Sequence, residues 1–354
     1  MGPEIKVPVT EQSALRSKGY FFVGGHYCGD PGSSFMSGQM FVEVFVPKDI
    51  RHPYPLIMFH GAGQTNLNWL TTPDGRMGWA DFFIREGYVV YLAEQPARGR
   101  SAYHPEVDGP RKYHTVEDIE GRFAGNSGKW PTAKLHSQWP EDAKHMGQPL
   151  FDQFASAQVE FLSDTAYTQK QVAAAAGELL EKTGPAILIT HSQAGPFGWK
   201  IADDHPDMVK AVVALEPAGP AFTNSKDDPA PKNFGLCELN MSFYPPVNGP
   251  EDFVLTPCRA ERPEETDGWI MDEAHIHRLT GLSKVPAAIL TGEASYHSMY
   301  DHITSKLLTQ MGVKNDFFRL GDEGIHGNGH FLMLEKNSLQ IAEFVKRWII
   351  IKTE

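Results

Sequence analysis

The sequence predicts an α/β fold: a mostly parallel central sheet flanked by helices. Three observations carry that expectation. Short apolar, β-branched runs alternate with segments of helical spacing, the pattern of a parallel sheet covered on both faces. Several runs stop abruptly at small or polar residues, as at Phe59-His60-Gly61 and Thr190-His191-Ser192. Two long stretches rich in Pro, at 103–165 and 218–283, interrupt the alternation with no period of their own. Irregular insertions of that length in a compact domain are usually functional, and we expect them to form a cap over one domain spanning 1–354.

Composition narrows the function. A chain of 354 residues, 41% of them hydrophobic, has enough apolar side chain for a sizeable core. Its net charge of -12, without a block of Lys and Arg, argues against nucleic acid or an anionic membrane as partner. Cys28, Cys237 and Cys258 are too few for a disulfide framework. Free thiols are expected, with a Cys237 to Cys258 bridge left open. Met1 to Thr10 holds no apolar leader and no stretch is long enough to span a bilayer. That leans toward the cytoplasm, with a mature secreted form left open.

In chain order, Tyr20 to Val23 and Met40 to Val46 read as two early strands joined by Gly-rich turns. Pro55 to Phe59 reads as a short buried strand running into His60-Gly61-Ala62-Gly63. A helix over Trp79 to Glu86 stops at Gly87, and a strand over Tyr88 to Leu92 leads into Arg98-Gly99-Arg100-Ser101. Beyond the first insertion, a helix over Thr168 to Lys182 ends at Gly184-Pro185. The strand Ala186 to Thr190, the helix Gln193 to Asp204 and the strand Val209 to Leu215 follow. After the second insertion come a strand Ala287 to Thr291, a helix Met299 to Met311, a strand Asp316 to Leu320 and a last helix over Leu332 to Ile351.

The central feature is Ala186 to Gly195, a buried strand that turns at Ser192 into a helix. Small neighbours let strand and helix pack closely and push the serine hydroxyl out at the end of the sheet. Thr190 and Ala194 hold the flanking positions, and Gly195 comes one place later than in G-x-S-x-G. A serine needs a base to take its proton and an acid to orient that base. His330, in Gly327-Asn328-Gly329-His330, follows the last strand and is the favoured base; His326 in the same loop is the alternative. Glu216 and Glu293 each end a strand after the elbow, and on topology alone either serves as the acid. The backbone N–H groups of Ala62 and Gln193 are placed to receive a developing oxyanion, which such donors stabilise by about 3–4 kcal/mol each. Two glycines intervene between His326 and His330, and their i, i+4 spacing needs a helix to read as a metal site; acyl transfer by a serine needs no metal or organic cofactor, and none is expected.

These motifs resemble those of the α/β-hydrolase superfamily. More narrowly, the chain resembles bacterial esterases that carry a vicinal disulfide beside the oxyanion hole. The resemblance rests on His60-Gly61, on Thr71 to Trp79, on Arg98 to Ser101, on Thr190 to Gln193, on Glu216-Pro217 and on His326-Gly327-Asn328 with His330. It implies a glutamate acid after the strand that follows the elbow, the position of Glu216, and so decides between the two candidates. Where those esterases have adjacent cysteines this chain has Ala62-Gly63; other packing must hold that loop.

The reading is a serine hydrolase that cleaves a carboxylic ester or lactone through an acyl-enzyme. Trp69, Trp139, Phe154, Phe243 and Tyr244 are expected to line an apolar pocket for a bulky small-molecule substrate, and a homodimer is allowed. Two alternatives stand beside it: a transferase, cyclase or lyase using the same site, and a ligand-binding protein without catalysis.

Overall fold

The structure is a computed structural model that describes residues 7–125, 128–223 and 227–353. Residues 1–6, part of the Met1 to Thr10 segment, lie outside them. Eight strands form the central sheet: β1 (Leu15–Cys28), β2 (Phe35–Pro47), β3 (Leu56–Phe59), β4 (Val90–Glu94), β5 (Ala186–His191), β6 (Val209–Leu215), β7 (Ala287–Thr291) and β8 (Asn315–Arg319). Their order is β1-β2-β4-β3-β5-β6-β7-β8. β1 with β2 and β2 with β4 are antiparallel, and the other pairs are parallel. The α/β architecture expected from the alternation is therefore the one observed.

Side chains alternate across the sheet and sort the core into two layers. Ile57 and Phe59 of β3 and Leu188 of β5 pack on one face with helices α2 (Thr165–Thr183), α3 (Gly195–Asp204) and α4 (Asp301–Gln310). Leu56, Met58, Ile187 and Ile189 point the other way, against α1 (Trp79–Arg85) and α5 (Ser338–Thr353). The inner strands β3, β5, β6 and β7 are largely apolar and buried on both faces because each face is covered there, whereas β1 is mostly exposed.

Strand order reverses at β3, whose neighbours are β4 on one side and β5 on the other. Loops leaving adjacent parallel strands in opposite directions open a crevice at their carboxyl ends. Here the loops at that switch point are Gly61-Ala62 after β3 and Ser192 after β5, and they meet closely.

Two expectations are corrected. The last helix begins at Ser338, not Leu332. Leu332, Met333 and Leu334 are buried in turns, and the Glu335 carboxylate folds back to accept from Gly329 N–H at 2.8 Å and from the Asn328 side chain at 2.6 Å. The insertions are also not structureless. The first holds the helices Val116–Ile119 and Pro149–Ser156 joined to a π-helical turn Glu120–Ala124, and the second holds the ribbons Leu255–Cys258 with Gly268–Met271 and Phe243–Tyr244 with Arg278–Leu279. Cys28, Cys237 and Cys258 are free thiols.

Candidate active site

Ser192 follows β5 with φ at 53°, and Glu216 follows β6 with φ at 47°. For residues with side chains this left-handed backbone costs about 1–3 kcal/mol and persists where packing enforces it. Two neighbours enforce it at Ser192. A Cβ on Gly61 would lie 2.9 Å from His191 Nδ1 and 3.0 Å from Ser192 Cβ. One on Gly195 would lie 2.4 Å from Pro217 Cβ. The glycine that falls one place late in the elbow motif is thus required by the Glu216-Pro217 turn, against which α3 starts.

Glu216 and His330 are brought together. His330 Nδ1 donates to Glu216 Oε2 at 2.5 Å, with both side chains almost fully buried. Glu216 also accepts from Gly292 N–H at 2.7 Å on Oε1 and from Ser295 Oγ at 2.7 Å on Oε2. Burial, then the nearby Asp301, oppose ionisation of this carboxyl and hold it well above the usual carboxylate range, and the Ser295 and Gly292 donors offset only part of that cost. The bond to Nδ1 leaves Nε2 as the lone-pair nitrogen. Burial first, then the nearby His191, His297, Arg122 and His114, hold the His330 imidazole well below its usual value. It is therefore a neutral base at neutral pH. His191 Nε2 donates to the His330 carbonyl at 3.0 Å, tying the elbow to the histidine loop.

The alternatives, His326 and Glu293, pair with each other. His326 Nδ1 lies 3.0 Å from Glu293 Oε1, and the His326 side chain is 64% exposed. This second pair has the same chemistry in water. It sits apart from the buried Glu216–His330 pair.

Ala62 and Gln193 are both half-buried beside the serine, and one side chain reaches both of their loops. The buried Arg98 guanidinium donates to the Gly61 and Gln64 carbonyls at 3.3 and 3.1 Å and to Gln193 Oε1 at 3.4 Å. It brackets Ala62-Gly63 from both sides, where a disulfide was expected to be missing.

The turn after β7 was not foreseen as part of the site. Ser295 bonds Glu216, and the Tyr296 ring lies 5.0 Å from that of His330. His297 stacks on His330 with centroids 4.8 Å apart and planes 13° apart. In the sequence Ser295-Tyr296-His297 follow the strand end at Thr291 by a few positions, with no local pattern to mark them beside Glu293. From the first insertion, Phe123 stacks on His330 at 5.3 Å and 19°.

Glu216, His297 and His330 also present donor atoms within 4.8 Å of one another. The two rings are nearly parallel, so their lone pairs do not converge on one point. His297 is further committed through Nδ1 to Asp301 at 3.0 Å and through Nε2 to the Tyr300 hydroxyl at 3.1 Å. The group reads as two carboxylate–imidazole pairs.

The five aromatics expected in one pocket are not gathered in one. Trp69, Trp139 and Phe154 are buried in the core layer that contains α1 and α5, whereas Phe243 belongs to the opposite layer, packed on Phe253. Tyr244 is 70% exposed. It lies on a two-residue ribbon, where period-2 alternation turns it outward as Phe243 turns in.

No family model matches the chain. The chain is 41% identical over 335 residues to "Probable secreted lipase phiG" from Fungal sp. (strain ATCC 74256), covering 93% of this chain and 88% of that one. A solved structure described as that of a novel bacterial esterase superposes with a TM-score of 0.64 at 21% identity, over 100% of both chains, and shows the fold. A solved naproxen esterase (carboxylesterase NP) from Bacillus subtilis matches with a TM-score of 0.46 at 15% identity, over 96% of this chain and 94% of that one. The fungal relative corrects one expectation: the lean toward a cytoplasmic location is overturned by a relative described as secreted. Among the described residues no helix is long and apolar enough to cross a membrane.

Proposed function

Because the chain belongs to the α/β-hydrolase family of carboxylic ester hydrolases, alongside the fungal lipase, we propose that it works through a Ser192–His330–Glu216 triad. The observation that carries this reading is the buried bond between His330 and Glu216, one strand from the strained turn at Ser192. Ser192 Oγ attacks the ester carbonyl as His330 Nε2 takes its proton. Glu216 holds the imidazole in the tautomer with the proton on Nδ1 and stabilises the imidazolium. The N–H groups of Ala62 and Gln193 receive the oxyanion. On collapse, His330 returns the proton to the leaving alcohol, and water releases the acyl group by the same steps in reverse.

For the substrate, the supporting feature is the aromatic wall of the first insertion. Phe123 covers one face of the His330 ring, and Trp130, anchored through Nε1 to the Ala294 carbonyl at 2.8 Å, packs on Tyr296. An ester or lactone with a bulky apolar group fits such surroundings, and 103–165 then acts as the cap. Secretion, as described for the relative, is the location we assign.

The test combines intact mass after a fluorophosphonate probe with hydrolysis of p-nitrophenyl esters of rising chain length. Wild type gains the mass of one phosphonyl group and Ser192→Ala gains none, with longer acyl chains turned over better than acetate. Turnover retained in Ser192→Ala would end the proposal.

A further inference from the structure

His330 Nε2 has a tyrosine hydroxyl within reach that the scheme above leaves unused. Tyr296 Oη lies 3.5 Å from Nε2. That is too long for a strong bond. It is also a separation at which two donors can share one oxygen placed about 2.8 Å from each.

The phenol is held there by its surroundings. Tyr296 opens the turn Tyr296–Met299, capped by Ser295, whose hydroxyl also donates to Glu216. Its ring packs at 4.6 Å from that of His297 and 5.9 Å from that of Trp130, and the Arg122 guanidinium stands 5.9 Å over it. One short turn thus fixes the phenol relative to both the acid and the base. Burial pushes the Tyr296 phenol up, so it keeps its proton and remains a donor.

We propose that Tyr296 is a further catalytic residue, its hydroxyl donating a hydrogen bond to the leaving alkoxide oxygen as His330 protonates it. This rests on the triad reading. In the step, the bond between the tetrahedral carbon and the leaving oxygen breaks and its electron pair goes to that oxygen. The proton comes from His330 Nε2. Tyr296 keeps its own proton and spreads the charge that builds up before proton transfer is complete. The demand is greatest for a poor leaving group such as ethoxide and small for p-nitrophenoxide, which departs readily as an anion.

The experiment compares wild type, Tyr296→Phe and Tyr296→Gln in kcat/KM across p-nitrophenyl, phenyl and ethyl esters of one acid. Loss of a donor at the reacting oxygen predicts that Tyr296→Phe is slowed about 10- to 100-fold on the ethyl ester and about threefold or less on the p-nitrophenyl ester. Tyr296→Gln, which offers an N–H in place of the hydroxyl, recovers part of the ethyl ester rate. Equal losses across the series, or equal rates for the Phe and Gln variants, would overturn the proposal and leave Tyr296 as packing. Fluorophosphonate labelling separates this from the parent reading, since fluoride leaves without a proton. Labelling that persists in Tyr296→Phe shows a working Ser192–His330 pair, and absence of labelling in wild type itself removes the triad.

Discussion

The imidazoles of His297 and His330 stack face to face at 4.8 Å, and each bonds through Nδ1 to a buried carboxylate, Asp301 for one and Glu216 for the other. Asp301 in turn accepts from Thr291 at the end of β7 at 2.6 Å. The second pair therefore forms a rigid backstop to the His330 ring, which carries the proton in the proposed triad. Two substitutions separate its parts. His297→Asn keeps a donor for Asp301 and loses the ring, so kcat is expected to fall about tenfold with stability little changed. His297→Phe keeps the ring and leaves the carboxylate short of a partner, costing about 1–3 kcal/mol of stability with kcat less affected. Full activity in His297→Asn, measured beside urea midpoints for both variants, would show that the stack does not matter.

The two Glu–His pairs make opposite predictions. Removing the charge of an orienting acid while keeping its shape leaves the base in the wrong tautomer, so Glu216→Gln is expected to lower kcat by about 10³- to 10⁴-fold. Glu293→Gln breaks a largely exposed pair, worth about 1 kcal/mol or less. Its kcat/KM should stay within about threefold of wild type. Steady-state kinetics on one p-nitrophenyl ester decides, and a reversed order would transfer the role to Glu293.

Buried histidines set an acid limit on the fold. His60 and His191 are fully buried, and loss of solvent above all pushes both down from 6.5 to about 3. Such a group takes up a proton readily only in the unfolded chain. Between about pH 3 and 6.5 the unfolded state therefore binds more protons, and stability falls as pH falls through that window, by about 1.4 kcal/mol per pH unit for each group. Above 6.5 this contribution is flat. Urea midpoints at pH 7 and pH 5 are expected to differ clearly, with a smaller difference in His60→Asn; equal midpoints in wild type would contradict it. Activity follows the same sign. His330 is lowered too, so the acid limb of kcat/KM is expected below pH 6.5.

What the sequence disclosed was local, and what it concealed was distant in the chain. Strands β3, β5, β6 and β7 were readable because each is a short apolar run with an abrupt end, and Ser192 and His330 because each is set among small residues that permit sharp turns. The Ser295-Tyr296-His297 turn carries no such pattern. Its importance arises from contacts with Glu216 and His330, 79 and 34 positions away. Phe243 and Tyr244 were misread for the same reason: aromatic composition marks a side chain that buries well, not the layer in which it is buried. The start of the last helix was misplaced because Leu332 to Leu334 are apolar enough to continue it. Only the return of Glu335 to Gly329 and Asn328 breaks the period.

Arg98 shows how a motif can be visible while its work is not. The segment Arg98 to Ser101 stood out by resemblance, yet its meaning lies in three loops meeting at one guanidinium. Besides the Gly61 and Gln64 carbonyls and Gln193, Arg98 donates to Gln95 Oε1 at 3.3 Å. Because oxyanion stabilisation depends on donors that are already in place, a group holding both halves of the proposed hole should influence kcat more than KM. Arg98→Met removes the donors and retains the apolar stem. It is expected to lower kcat about 10- to 100-fold, with KM changed about threefold or less, because ester binding does not use the oxyanion contacts fully. Arg98→Lys has one point of charge in place of a planar fork and cannot reach all four acceptors, so it is expected to recover little. A Met variant that loses KM and kcat in equal measure, or only thermal stability, would assign Arg98 to packing and return the placement of Ala62 to the loop itself.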